Sequence, residues 1–266
     1  MTRTTPGPHI IIIPGLQGYW QWMTPALRAF KPNTKVSTFS LYTSPSPTYF
    51  EAWTQRINDL VARSEDRGVI LVGVSFGGIV ASYYAARHGH RLRGLVLVSA
   101  PSPKWRLDKE SVKYLRHPTL LFPAFAARAV RQLAPEIHAA LPTLSRRARF
   151  LVEHAARALR WPFRPREVAK WIHEWMALDL GPALRHVGTP TLIITGDSSL
   201  DRVVAVQHTL DYVALIPAAR HVTLAGTGHL GFLERPRAFA ALVEGFAEEV
   251  EAVDNSDARL GHERLP

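Results

Sequence analysis

Short apolar runs alternate along the chain with longer stretches in which apolar residues recur at helical spacing. The runs are rich in β-branched residues and are bounded by turn formers, which is typical of buried parallel strands. They are residues 9–13, 35–41, 69–74, 95–98, 191–195 and 221–224. The clearest helices are predicted over residues 50–63, 76–88 and 237–250. This alternation predicts an α/β fold, with a mostly parallel sheet of about six strands, helices on both faces and right-handed crossovers.

The alternation breaks between residues 101 and 188. This stretch contains no convincing strand, its apolar residues recur at helical spacing, and its prolines predict a division into short helices. These prolines are residues 118, 123, 135, 142, 162 and 165. Because the stretch lies between two predicted strands, we predict a helical cap over 101–188. The core is then formed by residues 1–100 and 189–252, and a polar, flexible tail covers 253–266.

Composition narrows the class of protein. The chain has 266 residues, of which 47% are hydrophobic, enough for one well-buried core. It contains no cysteine, which excludes a disulfide framework, a thiolate metal site and a cysteine nucleophile. The apolar run at residues 10–13 is too short for a signal peptide or a membrane span. We therefore expect a soluble, cytoplasmic protein without stable membrane insertion.

The positive charge of the chain is concentrated in the predicted cap. The net charge is +10, and residues 101–190 hold 16 Lys and Arg against 7 Asp and Glu. Such a surface is usually an ordinary solvated one, but it can attract anionic lipid, nucleic acid or an acidic carrier. No phosphate-binding glycine loop, zinc-ligand pattern or RNA-binding aromatic motif accompanies it, so no nucleic-acid partner is predicted.

A candidate nucleophile follows the third predicted strand. Residues 73–77 read G-x-S-x-G, with Ser75 at the centre and a predicted helix immediately afterwards. A serine on so sharp a turn requires small neighbours two residues away on each side, and Gly73 and Gly77 meet that requirement. The turn would point the hydroxyl away from the sheet, beside a helix N-terminus that favours developing negative charge.

A serine hydroxyl needs a neighbouring base, and the base needs an orienting carboxylate. Among 12 histidines, His229 is favoured because it lies in a glycine-rich loop after the last predicted strand, where such a sheet places its active site. Two aspartates follow the preceding strand. We favour Asp201 as the acid, and Asp197 remains the alternative, interpreted as a local turn residue.

Four stretches together give the chain a specific resemblance. They are residues 10–18 (IIIIPGLQG), the turn at Ser75, residues 196–204 (GDSSLDRVV) and residues 226–236 (GTGHLGFLERP). In this order they resemble the α/β-hydrolase superfamily, in its serine-hydrolase branch with a helical lid, over about residues 10–250. The resemblance implies that the backbone N–H groups of Leu16 and Phe76 form an oxyanion hole.

Three departures from the family pattern stand out. The family often has His-Gly in the oxyanion loop, where this chain has Pro14-Gly15, but the donors there are backbone groups. The turn containing Asp201 is longer than the common G-x-x-D form. Only eight residues precede the first predicted strand, so we expect the antiparallel hairpin that usually opens this fold to be missing.

The resemblance implies a carboxylic-ester hydrolase acting through a Ser75–His229–Asp201 triad without a metal or organic cofactor. Serine rather than aspartate at the turn disfavours the family's dehalogenase and epoxide-hydrolase chemistry. The alternatives are a thioesterase acting on acyl-CoA or an acyl carrier, an acyltransferase, a cofactor-free haloperoxidase and a non-catalytic ligand receptor. An intact set of three side chains argues against the receptor. The sequence does not predict an oligomeric state.

Aromatic residues suggest an apolar substrate pocket. Trp20 and Trp22 lie beside the oxyanion loop, directly after it in the sequence, and Trp171 and Trp175 lie on a predicted cap helix. These four are the candidate pocket residues, although aromatic side chains at helical spacing more often seal a cap onto its core. The expected partner is a small apolar ester or thioester.

Overall fold

Six strands form one parallel sheet in the order β2-β1-β3-β4-β5-β6. A computed structural model describes residues 7, 9–64 and 68–262, with only the helical backbone described for 253–262. The strands are β1 His9–Ile13, β2 Val36–Thr38, β3 Val69–Val74, β4 Gly94–Val98, β5 Thr191–Thr195 and β6 Ala219–Thr223. The predicted α/β fold with a parallel sheet of about six strands is confirmed. β2 is shorter than the predicted 35–41, because it pairs with β1 over only three residues.

Helices follow nearly every strand. They are α1 Thr24–Leu27, α2 Tyr49–Ala62, α3 Phe76–His88, α4 Lys109–Arg116, α5 Phe122–Ala140, α6 Leu144–Arg160, α7 Pro165–Met176, α8 Gly181–Leu184, α9 Val206–Leu215, α10 Gly231–Glu234 and α11 Pro236–His262, with 3-10 turns at Trp20–Met23 and Gly89–Arg91. In the described part of the chain the sheet begins with β1, as expected for a sheet without an opening hairpin; residues 1–6 and 8 lie outside the described residues.

Side chains of each strand point alternately to the two faces of the sheet, and helices bury both faces. Ile11 of β1 belongs to a core that α2 and α3 cover with Trp53 and Ile79. Its neighbour Ile12 belongs to a second core on the opposite face, where α11 contributes Phe239. This alternation has the period of two that an extended strand imposes. Burial on both faces accounts for the continuous apolar runs in the sequence.

The five helices α4–α8 lie between the paired strands β4 and β5. We call them the inserted helices. The expectation that all six prolines divide this region into short helices is wrong at Pro135, which lies inside the 19-residue α5. Proline removes one N–H donor from a helix and usually kinks it, but the helix can continue where packing holds the next turn.

The last helix is longer than predicted. Its backbone runs from Pro236 to His262 instead of ending near residue 250. Residues 263–266 lie outside the described residues, and the flexible tail stays a prediction.

Candidate active site

The candidate site lies where the strand order of the sheet reverses. β1 is placed between β2 and β3, so the chain leaves β1 toward one edge of the sheet and leaves β3 toward the other. Ligands of open parallel sheets bind outside the carboxyl ends of the strands at such a point. Residues 14–16 follow β1 there, and Ser75 follows β3.

Ser75 occupies a strained turn between β3 and α3. Its φ is 52° and its ψ is −121°, in a region that residues with a side chain rarely adopt. Two backbone bonds hold the turn: Ser75 N donates to Val98 O at 2.8 Å, and Gly78 N donates to Ser75 O at 2.8 Å. A side chain at Gly73 would overlap the backbone of Gly77. A side chain at Gly77 would overlap the backbone of Ile13 and Pro14. The glycines therefore allow β1, β3 and α3 to approach closely enough to form the turn.

His229 connects Ser75 with an acid. Its Nε2 lies 3.0 Å from Ser75 Oγ, and its Nδ1 lies 3.3 Å from Asp201 Oδ2. His229 is 7% exposed and Asp201 is 4% exposed. The structure thus brings together the three side chains that the sequence analysis singled out, although they lie 126 and 28 residues apart in the chain.

Asp197 has a different position from Asp201. Its Oδ2 accepts a hydrogen bond from Gly226 N at 2.7 Å, and its own N–H donates to Thr227 O at 2.8 Å. These bonds tie the turn after β5 to the loop that precedes His229. The Asp197 carboxylate therefore holds backbone of a distant loop, and not of its own turn as the sequence analysis expected, while Asp201 faces the imidazole.

The second oxygen of Asp201 is also bonded. Its Oδ1 accepts hydrogen bonds from Val203 N at 3.1 Å and Val204 N at 3.0 Å. Burial alone would raise the pKa of Asp201, but the charge and hydrogen bond of His229 and these two N–H donors lower it below its ordinary value. Burial likewise favours neutral His229, yet the charges of Asp201 and Glu136 and the Asp201 hydrogen bond raise its pKa. The pair is arranged to stabilise an imidazolium next to a carboxylate.

Glu136, a residue that the sequence analysis missed, reaches the histidine loop from inserted helix α5. The residue is 1% exposed, and its Oε2 accepts a hydrogen bond from Leu230 N at 3.0 Å. A side chain at Gly228 would overlap the Glu136 carboxylate, so the glycine-rich loop leaves room for it. The only sequence signal was an acidic residue on the inward, apolar face of α5, beside Leu133 and Ile137.

Two buried carboxyl groups near the site hold their protons unusually well. Burial raises the pKa of Glu136 to about 7; the hydrogen bond from Leu230 N and the charge of His229 oppose this rise. Burial and the charge of Glu136 raise the pKa of Glu234, in α10, to about 8. Near neutral pH this part of the protein therefore takes up or releases protons.

The two predicted oxyanion donors belong to segments that adjoin Ser75. Phe76 is the first residue of α3, where backbone N–H groups have no acceptor within the helix. Leu16 follows Gly15, whose backbone lies against the serine: a methyl group at Gly15 would come within 3.2 Å of Ser75 Cβ. Leu16 and Phe76 both line the cavity that reaches Ser75.

That cavity has a volume of about 190 Å³ and a mainly apolar wall. It lies between the sheet and the inserted helices, with Trp105, Tyr114, Phe125, Ile172 and Trp175 among its lining residues. An ion pair, Arg128 Nη2 to Asp108 Oδ2 at 2.6 Å, contributes one polar stretch of wall. Aromatic and aliphatic walls with few polar groups are typical of sites for apolar small molecules.

Of the four tryptophans predicted to line the pocket, only Trp175 does so. Trp171 is fully buried and stacks on Phe76, with ring centroids 6.2 Å apart, so it belongs to the core. Trp20 packs against the core on the opposite face of the sheet, and Trp22 Nε1 donates to Trp161 O at 3.3 Å. The prediction fails for these three because helical spacing and proximity in sequence do not specify which face of the fold a side chain reaches.

Comparison with known proteins places the chain in a family. The model of the alpha/beta hydrolase family matches residues 10–242, and the chain belongs to that family. No curated protein sequence matches the chain. The sheet and loops that position the site are therefore those of an alpha/beta hydrolase.

Solved structures show the same fold at low sequence identity. A hydrolase from Pseudomonas aeruginosa PA01 is similar with a TM-score of 0.70 and 22% identity over 90% of this chain and 89% of that one. MenH from S. aureus is similar with a TM-score of 0.67 and 20% identity, over 94% of this chain and 96% of that one. The enol-lactonase from Burkholderia xenovorans LB400 is similar with a TM-score of 0.63 and 21% identity, over 92% of each chain.

No helix in the described part of the chain is both long enough and apolar enough to cross a bilayer.

Proposed function

We propose that this protein is a serine hydrolase that cleaves carboxylic esters through an acyl-enzyme on Ser75. The observation that carries the proposal is the hydrogen-bonded row of Ser75, His229 and Asp201, with distances of 3.0 and 3.3 Å, at an apolar cavity. A positioned base next to a strained serine, itself oriented by a buried carboxylate, is the arrangement that activates a hydroxyl near neutral pH.

In the first step Ser75 Oγ attacks the ester carbonyl carbon while His229 Nε2 takes the hydroxyl proton. The carbonyl oxygen becomes an oxyanion, and the backbone N–H groups of Leu16 and Phe76 stabilise it. The intermediate then collapses, the bond to the alcohol oxygen breaks, and His229 gives its proton to the leaving alcohol. The acyl group remains bonded to Ser75 Oγ.

In the second step water replaces the alcohol. His229 removes a proton from the water, its oxygen attacks the acyl carbon, and the second intermediate collapses to release the carboxylic acid and regenerate Ser75. Asp201 supports both steps because it fixes the imidazole and stabilises its protonated form. Neither step requires a metal or an organic cofactor.

The inserted helices would act as the cap of this site. Phe125 and Ala129 of α5 and Trp175 of α7 line the cavity from the side opposite Ser75 and the sheet. An apolar acyl or alcohol group would occupy this space, and closing the cap over it would exclude water.

A thioesterase is the second candidate, favoured by one observation. The inserted region carries most of the net positive charge of the chain, which suits the anionic groups of acyl-CoA or an acyl carrier. The chemistry at Ser75 would be the same, with a thiol as the leaving group. An acyltransferase would differ only in the nucleophile that releases the acyl group.

Labelling with a fluorophosphonate probe tests the nucleophile. The wild-type protein should be labelled, Ser75→Ala should not, and the exposed Ser199→Ala should be labelled as well as the wild type. Hydrolysis of 4-nitrophenyl esters of graded chain length, with acyl-CoA thioesters in parallel, then separates esterase from thioesterase. Undiminished labelling or hydrolysis in Ser75→Ala would contradict the proposal.

A further inference from the structure

Large apolar side chains are exposed almost only on the inserted helices. Of the nine such side chains in the described part of the chain, eight lie between β4 and β5, and Val213 of α9 is the ninth. Leu144 is 80% exposed and Leu159 is 86% exposed, both on α6. Scattered apolar residues are normal on a protein surface, but a concentration on one region marks an interaction site.

On α6 these side chains form a continuous stripe. At 3.6 residues per turn, its exposed leucines and valine fall within an arc of about 100°, together with Ala148 and Ala155. We call this arc the outer stripe of α6: Leu144, Ala148, Leu151, Val152, Ala155 and Leu159. The opposite side of the helix faces the protein, where Phe150 packs against the core and the His154 ring lies tilted beside Trp22, with ring centroids 6.1 Å apart. One side of α6 thus anchors the helix to the protein, while the outer stripe leaves an apolar band on its solvent side.

Helix α5 has the same organisation. Its inner side contributes Phe125 and Ala129 to the wall of the cavity. Its outer side exposes Ala127, Val130 and Ala134, of which Val130 is 67% exposed. One helix therefore separates the candidate active-site cavity from the exposed apolar surface.

Arginines flank the outer stripe. α6 carries five arginines and one glutamate, Glu153. This glutamate pairs with Arg149 at 2.9 Å and with Arg157 at 3.2 Å. Arg160 is exposed and lies on the same side of the stripe as Arg149, whereas Arg146 is exposed on the side of the helix nearly opposite the stripe. An apolar stripe bordered by positive charge is the pattern of a helix that lies in the interface of an anionic membrane.

We propose that the outer faces of α5 and α6 form a docking surface for an anionic lipid bilayer. The outer stripe would enter the boundary between headgroups and acyl chains, and the arginines would contact lipid phosphates. Charge favours this occupant over a second copy of the chain, since a symmetric contact would bring the same arginines together. The outer stripe disfavours nucleic acid, because its phosphates would be placed against leucines.

The proposed docking surface is inferred from the exposure and charge of α5 and α6 and does not depend on the proposed function. One consequence rests on the proposed function: a lipophilic ester would reach the cavity from the bilayer, because α5 borders both. Membrane docking and ester hydrolysis can therefore fail independently. For this reason the test measures vesicle binding without turnover.

Sedimentation with lipid vesicles tests the docking. The protein should bind vesicles of phosphatidylcholine mixed with phosphatidylglycerol, bind pure phosphatidylcholine much less, and dissociate as salt is raised. Leu151→Gln combined with Leu159→Gln should lower the partition coefficient by at least about tenfold. Arg160→Gln should lower it by roughly fivefold, and Arg146→Gln, on the side of α6 away from the stripe, should lower it less. Ser75→Ala should bind like the wild type.

Matched controls separate docking from general surface changes. Val213→Gln replaces an exposed apolar residue outside the inserted helices, and Arg237→Gln removes an exposed arginine of α11; neither should change vesicle binding. Circular dichroism and thermal melting verify that the α6 variants fold.

Three results would overturn the proposal: absence of binding to anionic vesicles, equal binding to both kinds of vesicle, or unchanged binding by the folded α6 variants. Self-association that these variants abolish, without vesicle binding, would assign the surface to a second copy instead.

Discussion

Glu136 of inserted helix α5 accepts a hydrogen bond from the backbone N–H of Leu230, the residue directly after His229, at 3.0 Å. The bond fixes a helix of the insertion to the loop that carries the candidate base. Because the carboxylate is buried, its protonation is coupled both to folding and to the charge of His229. Two predictions concern this contact.

Stability should fall as pH rises through neutrality. The pKa of Glu136 is raised from 4.5 to about 7, so the folded protein keeps this proton at pH values where the unfolded chain has lost it. The free energy of unfolding then decreases between about pH 4.5 and 7, by on the order of 3 kcal/mol for this group alone. Glu234 and His229, whose pKa values are also raised, add to the same trend. Urea unfolding at pH 5 and 8 measures it, and Glu136→Gln should have a smaller difference than the wild type; an identical difference would exclude Glu136 as a source.

Glu136 should also affect the pH dependence of hydrolysis. The ionised form of Glu136, present near and above its pKa of about 7, raises the pKa of His229, so Glu136→Gln should move the acidic limb of the kcat/KM profile to lower pH. The amide oxygen of Gln can still accept from Leu230 N, whereas Glu136→Ala removes the bond and should also lower kcat, by roughly tenfold or more. The exposed Glu110→Gln is the control and should leave the profile in place. If Glu136→Gln and Glu110→Gln have the same profile, the coupling to His229 is absent.

The two aspartates near the site should behave differently. Asp201→Asn should lower kcat/KM by about a thousandfold or more, because the amide cannot stabilise protonated His229 and can favour the wrong tautomer. Asp197→Asn keeps an acceptor for Gly226 N and should reduce kcat/KM by less than about tenfold, with a loss of stability near 1 kcal/mol. Steady-state kinetics and thermal melting of both variants check the assignment. A greater loss of activity in Asp197→Asn would reverse it.

The turn at Ser75 should not tolerate a methyl group at its flanking glycine. Gly77→Ala would place Cβ on the backbone of Ile13 and Pro14 and should cost at least about 3 kcal/mol of unfolding free energy, or prevent folding. Gly245→Ala in α11 is the matched control: nothing lies within 4 Å of its new Cβ, and alanine should stabilise the helix by about 1 kcal/mol. Chemical denaturation compares the two variants, and a Gly77→Ala protein as stable as the wild type would contradict the close approach described here.

The chain-length preference of the enzyme should depend on the inner side of α5. Ala129 lines the cavity, whereas Ala127, two residues earlier, is exposed. Ala129→Trp should reduce kcat/KM for long-chain 4-nitrophenyl esters by about tenfold or more while short-chain esters are affected less, since the larger ring fills the apolar space. Ala127→Trp should have no such effect. Equal behaviour of the two variants would mean that the acyl chain binds elsewhere.

Much of the site could be predicted from the sequence, because its parts are encoded locally. The turn at Ser75 needs only a strand, a helix and two glycines within five residues. Each of these can be recognised directly in the sequence. The oxyanion loop after β1 and the loop before His229 are likewise short segments attached to strands whose order fixes where they end. The parallel sheet followed from the same local patterns of apolar residues.

Only the tertiary structure decided what depends on distant segments packing together. The sequence favoured Asp201 but left Asp197 as an alternative, and the path of one turn determines which carboxylate faces His229 and which one binds Gly226 N. Glu136 contacts Leu230, which lies 94 residues further along the chain. The rotation of α7 about its axis places Trp171 in the core and Trp175 at the cavity. Helical periodicity specifies that one side of a helix is apolar, but the side that meets a neighbour is fixed by the packing of the whole fold. For the same reason the sequence contained the apolar stripe of α6, and only the folded chain left that stripe facing solvent.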